Sequence, residues 1–122
     1  MDNAYLNDVF LIGRLTRDPE LRMTASGIPV VRFSLAVNRN RRNADGTSDA
    51  DFIRVVCWNR LAEICEKYLK KGRLISIAGR LQVDKYEQNG EARTSFEVVA
   101  DDMQMLERSA DAVQQEFQGE PQ

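Results

Sequence analysis

The sequence predicts an all-β fold, a five-stranded barrel with one helix between the third and fourth strands. Three observations predict it. Five apolar or alternating stretches are separated by turn signals. Helical spacing is confined to one stretch, residues 60–71. Two of the strands contain a glycine, Gly13 and Gly79, where a barrel has to bend. The 122 residues suit one domain with one core.

Residues 5–16 hold Tyr, Leu, Val, Phe and Ile and read as the first strand. Val9-Phe10-Leu11-Ile12 is a continuous apolar run, consistent with a strand covered on both faces. Asp18-Pro19-Glu20 is a turn, in which Pro fixes φ and Asp can accept from nearby backbone amides. Ser26-Gly27 is a second turn. Residues 28–38 alternate: Val31, Phe33, Leu35 and Val37 share one face, and Arg32, Ser34, Ala36 and Asn38 the other. Residues 39–50 lose apolar character, and Asp45-Gly46 marks a polar, basic hairpin or loop.

The third strand covers residues 51–58. Leu61, Ile64, Cys65, Tyr68 and Leu69 then follow helical spacing, with Asn59 as the expected cap and Lys70-Lys71-Gly72 as the expected basic last turn and C-terminal glycine. Residues 73–86 form the fourth strand. Asn89-Gly90 is a tight-turn signal, and residues 93–106 form the fifth strand. Three strands, a helix and two strands is the element order of the OB-fold, whose second and third strands bind oligonucleotides or oligosaccharides. Residues 1–108 are the expected barrel domain. Residues 109–122 are expected as a short acidic extension, helical or frayed.

Composition narrows the function. There is no histidine, so the usual general base near neutral pH and the commonest metal ligand are missing. Cys57 and Cys65 sit in apolar settings outside any CxxC pair and read as buried, reduced thiols. Asp45, Asp49 and Asp51 lack calcium-loop spacing, and Asp101-Asp102, alternating across a strand, make a poor acid/base pair. No nucleophile motif or phosphate-cradling loop is present. An enzyme, a metal and a cofactor are therefore not expected. No apolar run reaches membrane-spanning length, and the N-terminus lacks the pattern of a secretory signal, so a cytoplasmic location is expected.

The net charge of −2 hides an asymmetry. Residues 1–100 carry 16 Lys and Arg against 13 Asp and Glu, while residues 101–122 carry one Arg against six acids. Binding to a polyanion depends on the local patch, not the sum. Strand three offers such a patch. Ile53, Val55 and Cys57 suit a barrel interior, while Phe52, Arg54, Val56 and Trp58 point outward. Exposed rings can stack bases at about 1–3 kcal/mol each, and Arg54 between them can meet phosphate or stack. The same rings could instead cover an oligomer interface or bind a protein partner. Arg32, Ser34 and Asn38 on strand two, Arg39, Arg41 and Arg42 in the loop, and Arg80, Lys85, Tyr86 and Arg93 around the last hairpin favour a groove for a flexible polyanion.

These residues, in order and spacing, resemble the bacterial-type single-stranded DNA-binding proteins over about residues 5–107. The stretches that carry the resemblance are Ile12-Gly13-Arg14-Leu15, Asp18-Pro19-Glu20-Leu21-Arg22, Leu35-Ala36-Val37-Asn38-Arg39, Ala50-Asp51-Phe52-Ile53, Leu61-Ala62-Glu63, Tyr68-Leu69-Lys70-Lys71-Gly72, Gly79-Arg80-Leu81-Gln82 and Glu97-Val98-Val99-Ala100-Asp101. The resemblance implies a homotetramer that wraps single-stranded DNA without strong sequence preference, in replication, recombination or repair, at the nucleoid. It implies stacking by Phe52, Trp58 and Tyr86 and basic contacts from Arg54, Arg60, Lys71, Lys85 and Arg93. It also implies subunit association through Val9 to Ile12. Arg41 stands where the family often carries an aromatic, and Asp84 where it often carries a basic residue. The family's acidic-hydrophobic tip, which recruits replication and repair proteins, is not matched by Gly119-Glu120-Pro121-Gln122. The expectation is a piece of a longer chain, a short paralogue or a mobile-element version, and the partner role is not carried over.

Overall fold

A computed structural model describes residues 5–106, with side chains for all of them except Arg41 and Arg42. The acidic extension expected from residue 109 onward lies outside the described residues. The elements are β1 (Val9–Leu15), β2 (Glu20–Met23), β3 (Pro29–Arg42), β4 (Ser48–Trp58), α1 (Asn59–Tyr68), β5 (Leu74–Gln88) and β6 (Glu91–Met105). Strands β1, β5, β6, β4 and β3 follow one another around the sheet, and β1 pairs with β3 to close a five-stranded barrel.

The sixth strand, β2, was not expected. It pairs antiparallel with the start of β3, from Glu20 opposite Arg32 to Met23 opposite Pro29. Four residues between two turns are too few for alternation to register, and the pairing supplies what local pattern cannot.

The interior is built from the alternating sets. Val31, Phe33 and Leu35 of β3 and Val55 and Cys57 of β4 are buried together with Leu15, Ile75, Ile77, Val98 and Ala100. α1 packs on β3 and β4 and adds Ala62, Cys65 and, just past its end, Leu69. Cys57 and Cys65 are both buried and free, with their sulfurs 3.7 Å apart. That contact and burial push the Cys57 thiol up, away from the reactive thiolate.

The two in-strand glycines sit where the barrel tightens. A Cβ on Gly13 would lie 2.6 Å from the Ala36 carbonyl oxygen, and one on Gly79 would lie 2.1 Å from that of Val99. Gly79 also begins a bulge: Ala78 pairs with Asp102 and Gly79 with Ala100, which leaves Asp101 over. The alternation expected at Asp101-Asp102 is therefore broken, and Asp101 instead meets Arg80 at 3.3 Å. Asn89 and Gly90 both have positive φ, 53° and 79°, as a two-residue I′ hairpin turn requires.

The helix ends differ from expectation. Trp58, with extended backbone, holds the N-cap position without a side-chain cap bond. Asn59 does not cap; it is the first helical residue, at φ 59°, a left-handed value that Asn tolerates better than most residues. The helix stops at Tyr68, so Lys67, not Lys70 or Lys71, is the basic group of its last turn. The turn that follows is held from a distance. Asp18 Oδ1 accepts the Lys71 backbone N–H at 2.7 Å, and the Leu15 carbonyl accepts that of Gly72 at 2.8 Å. Leu15 and Asp18 thus tie the end of β1 and the turn after it to the helix exit.

Candidate nucleic-acid interface

Register places the candidate side chains. Between β3 and β4, Val30 faces Trp58, Arg32 faces Val56, Ser34 faces Arg54 and Ala36 faces Phe52. β4 runs parallel to β6 with Val56 beside Val99. β6 in turn sets Val99 opposite Arg80, Glu97 opposite Gln82, Ser95 opposite Asp84 and Arg93 opposite Tyr86. Side chains directly opposite share a face. Phe52, Arg54, Trp58, Tyr86 and Arg93 therefore lie on one outer face, spread over three strands.

The rings on that face are open. Phe52 is 69% exposed, Tyr86 48% and Trp58 37%. Ala36 opposite Phe52 is too small to cover the ring. Val56 shares the face but is buried, because Val30 and Val99 close over it in a small outer cluster. It does not belong to the accessible surface as its parity suggested.

The basic groups divide. Arg54 is exposed on the face. Arg60 is exposed in the first turn of α1, and Lys71 is exposed in the turn held by Asp18. Lys85 alternates with Tyr86 and so points to the reverse side of the β5–β6 hairpin, opposite Thr94. Arg93 meets Glu91 at 3.4 Å. Arg39 is already engaged: its Nε and Nη2 both donate to Asp51 Oδ1, at 3.1 and 2.8 Å. That hydrogen bond holds the Asp51 carboxyl below the usual carboxylate range. Arg41 belongs to β3, and its side chain lies outside the described ones.

Phe52 and Arg54 form a ridge between two clefts. One, of about 590 Å³, is also lined by Thr16, Asp18, Arg32, Phe33, Ser34 and Glu97. The other, of about 460 Å³, has an apolar floor that includes Val9, Leu11, Ile53, Leu81 and Phe96. Glu97 lines both clefts, although nothing in the local sequence pattern marks it. Its Oε2 accepts from Arg32 Nε at 2.9 Å. Only the parallel β4–β6 pairing brings it beside Arg54, and no local pattern signals that pairing. Among the described residues no helix is long and apolar enough to cross a membrane.

The profile of the Single-strand binding protein family matches residues 6–106. The chain belongs to this family. Single-stranded DNA-binding protein 1 of Lactococcus lactis is 51% identical over 111 residues, 90% of this chain and 74% of that protein. Single-stranded DNA-binding protein 1 of Staphylococcus aureus is 50% identical over 114 residues, 92% of this chain and 73% of that one. Among solved structures, the Plasmodium falciparum SSB complex with ssDNA superimposes with a TM-score of 0.76 at 29% identity, covering 88% of this chain and all of that one. The single-strand binding fold is therefore shared well beyond close relatives, and the barrel expected from the element order is the one observed.

Proposed function

We propose that this chain binds single-stranded DNA with little sequence preference and protects it during replication, recombination or repair. The observation that carries the reading is the open ring set of Phe52, Trp58 and Tyr86 on one sheet face, with Arg54 between the first two. Every base has a π-face, so stacking tolerates sequence. Arg54, Arg60, Lys71 and Arg93 contact phosphates around the rings, and Lys85 reaches a strand that wraps the hairpin to its reverse side. The chain works by binding, not by catalysis.

Arg39 joins only if Asp51 releases it. Replacing Asp51 with Asn is expected to tighten oligo-dT binding a few-fold at low salt. It should also steepen the log–log salt dependence by about 0.7, the contribution of one added phosphate contact on a single strand. Anisotropy titrations at several salt concentrations check this. A salt-independent affinity in the parent chain would overturn the phosphate contacts altogether. Protonating Asp51 would act in the same direction as the substitution. Because the Arg39 hydrogen bond depresses the Asp51 carboxyl in the fold, the ion pair persists as pH falls through the ordinary carboxylate range and is lost only below it.

We further propose a homotetramer. Phe10, 68% exposed, and Ile12 project from β1 beside a shallow cleft that includes Val37 and Leu74. Apolar side chains grouped this way on an open strand suit burial by a second copy. Light scattering at micromolar concentration is expected to give four times the chain mass of 13.9 kDa, and a monomer would refute the proposal.

A further inference from the structure

The binding face contains a half-buried group that a polyanion site does not need. Glu97 lies at its centre, with its side chain only 14% exposed. A carboxylate placed there repels phosphate and has lost most of its water. Among the described residues its one side-chain donor is Arg32 Nε. A carboxylate offers about four acceptor positions, so most of its capacity is unused. Arg32 is equally incomplete. Its Nε is spent on Glu97, its side chain is 58% exposed, and its two terminal nitrogens have no acceptor among the described residues. An arginine fork and an underused carboxylate thus stand side by side.

Both line the cleft of about 590 Å³ that Phe52 and Arg54 border. Ala36 opposite Phe52 leaves the ring face uncovered. A base stacked on that ring would share the cleft with Arg32 and Glu97. We propose that this cleft is a pocket for a single nucleobase and that Glu97 with Arg32 makes it favour guanine. This rests on the single-strand binding reading above.

The chemistry selects the base. Guanine presents an acceptor, O6, followed by two adjacent donors, N1–H and the 2-amino group. A guanidinium meets the first and a carboxylate the other two, which is a bidentate match. Cytosine and adenine each offer one amino group next to a bare ring nitrogen, whose lone pair faces the carboxylate. Thymine offers one N–H flanked by two carbonyl oxygens. A site whose polar groups are left unpaired by the wrong base rejects it. The result is a local bias for guanine over a sequence-tolerant background.

The test uses the full chain and three labelled oligonucleotides of equal length: oligo-dT, alternating d(GT) and alternating d(IT). Inosine differs from guanosine only in lacking the 2-amino group. The expected result is that d(GT) binds about tenfold tighter than d(IT), the effect of one charge-assisted hydrogen bond. Glu97→Leu is expected to bring that ratio close to one. Equal affinity of the parent chain for d(GT) and d(IT) would overturn the pocket, and this comparison needs no variant. A Glu97→Leu chain that keeps the full preference would overturn the role of Glu97. Oligo-dT separates the two levels. If the parent chain binds it but the d(GT) to d(IT) ratio is one, only the guanine pocket falls; if it binds none of the three, the single-strand binding reading falls.

Discussion

Replacing both Phe52 and Trp58 with Ala is expected to weaken oligo-dT binding by at least about 30-fold. Each stacked base contributes about 1–3 kcal/mol, and two independent platforms sum to about 2–6 kcal/mol. Fold stability should change far less than binding, because both rings stand open on the sheet surface and neither belongs to the barrel core. Anisotropy of a labelled oligo-dT gives the binding loss, and a thermal melt of the same sample gives the stability. An unchanged Kd would mean that the rings serve an interface between proteins. In that case the double variant would instead lose a partner while keeping its DNA affinity.

The second large effect is on the fold. Gly79→Val is expected to destabilise the chain by about 3 kcal/mol or more, at the upper end of what overpacking costs. A Cβ on Gly79 would stand 2.1 Å from the Val99 carbonyl oxygen, a backbone atom of the neighbouring strand that cannot rotate away. Relief requires β5 and β6 to separate at the bulge, which would move Arg80 and Val99 and with them the outer valine cluster under the binding face. Chemical denaturation of the variant beside the parent measures the loss. Gly90→Ala tests the turn separately and should cost less: its positive φ disfavours a side chain, but nothing lies within 4 Å of the added Cβ.

Much of this molecule is legible in its sequence because the barrel depends on local alternation. Val31, Phe33 and Leu35 reveal the inner face of β3, and Phe52, Arg54 and Trp58 reveal the outer face of β4. The Asn89-Gly90 turn is legible because two consecutive positive φ values select that dipeptide. What local pattern could not show depends on pairing across the chain. Asp18 reads as a turn residue but accepts from Lys71, 53 positions away. Asn59 reads as a cap, yet the strand continues into Trp58 and leaves Asn59 inside the helix with left-handed backbone. Val56 reads as exposed and is buried by residues from β3 and β6. Arg39 reads as a phosphate ligand and is held by Asp51. Glu97 reads as one acidic residue on a strand, and only the parallel pairing of β4 with β6 sets it beside Arg54. Register determines which charges on this face are available, and register is a property of the closed barrel.

The central claim is that single-stranded DNA stacks on the outer face of β4. Trp58 is the only tryptophan in the chain, so its emission reports on that face alone. Titrating oligo-dT into the full chain at two salt concentrations tests the claim most directly. Saturable quenching of Trp58 is predicted, with a midpoint that moves to higher DNA concentration as salt rises. Emission that stays constant at both salt concentrations, while the DNA remains unbound, would contradict it.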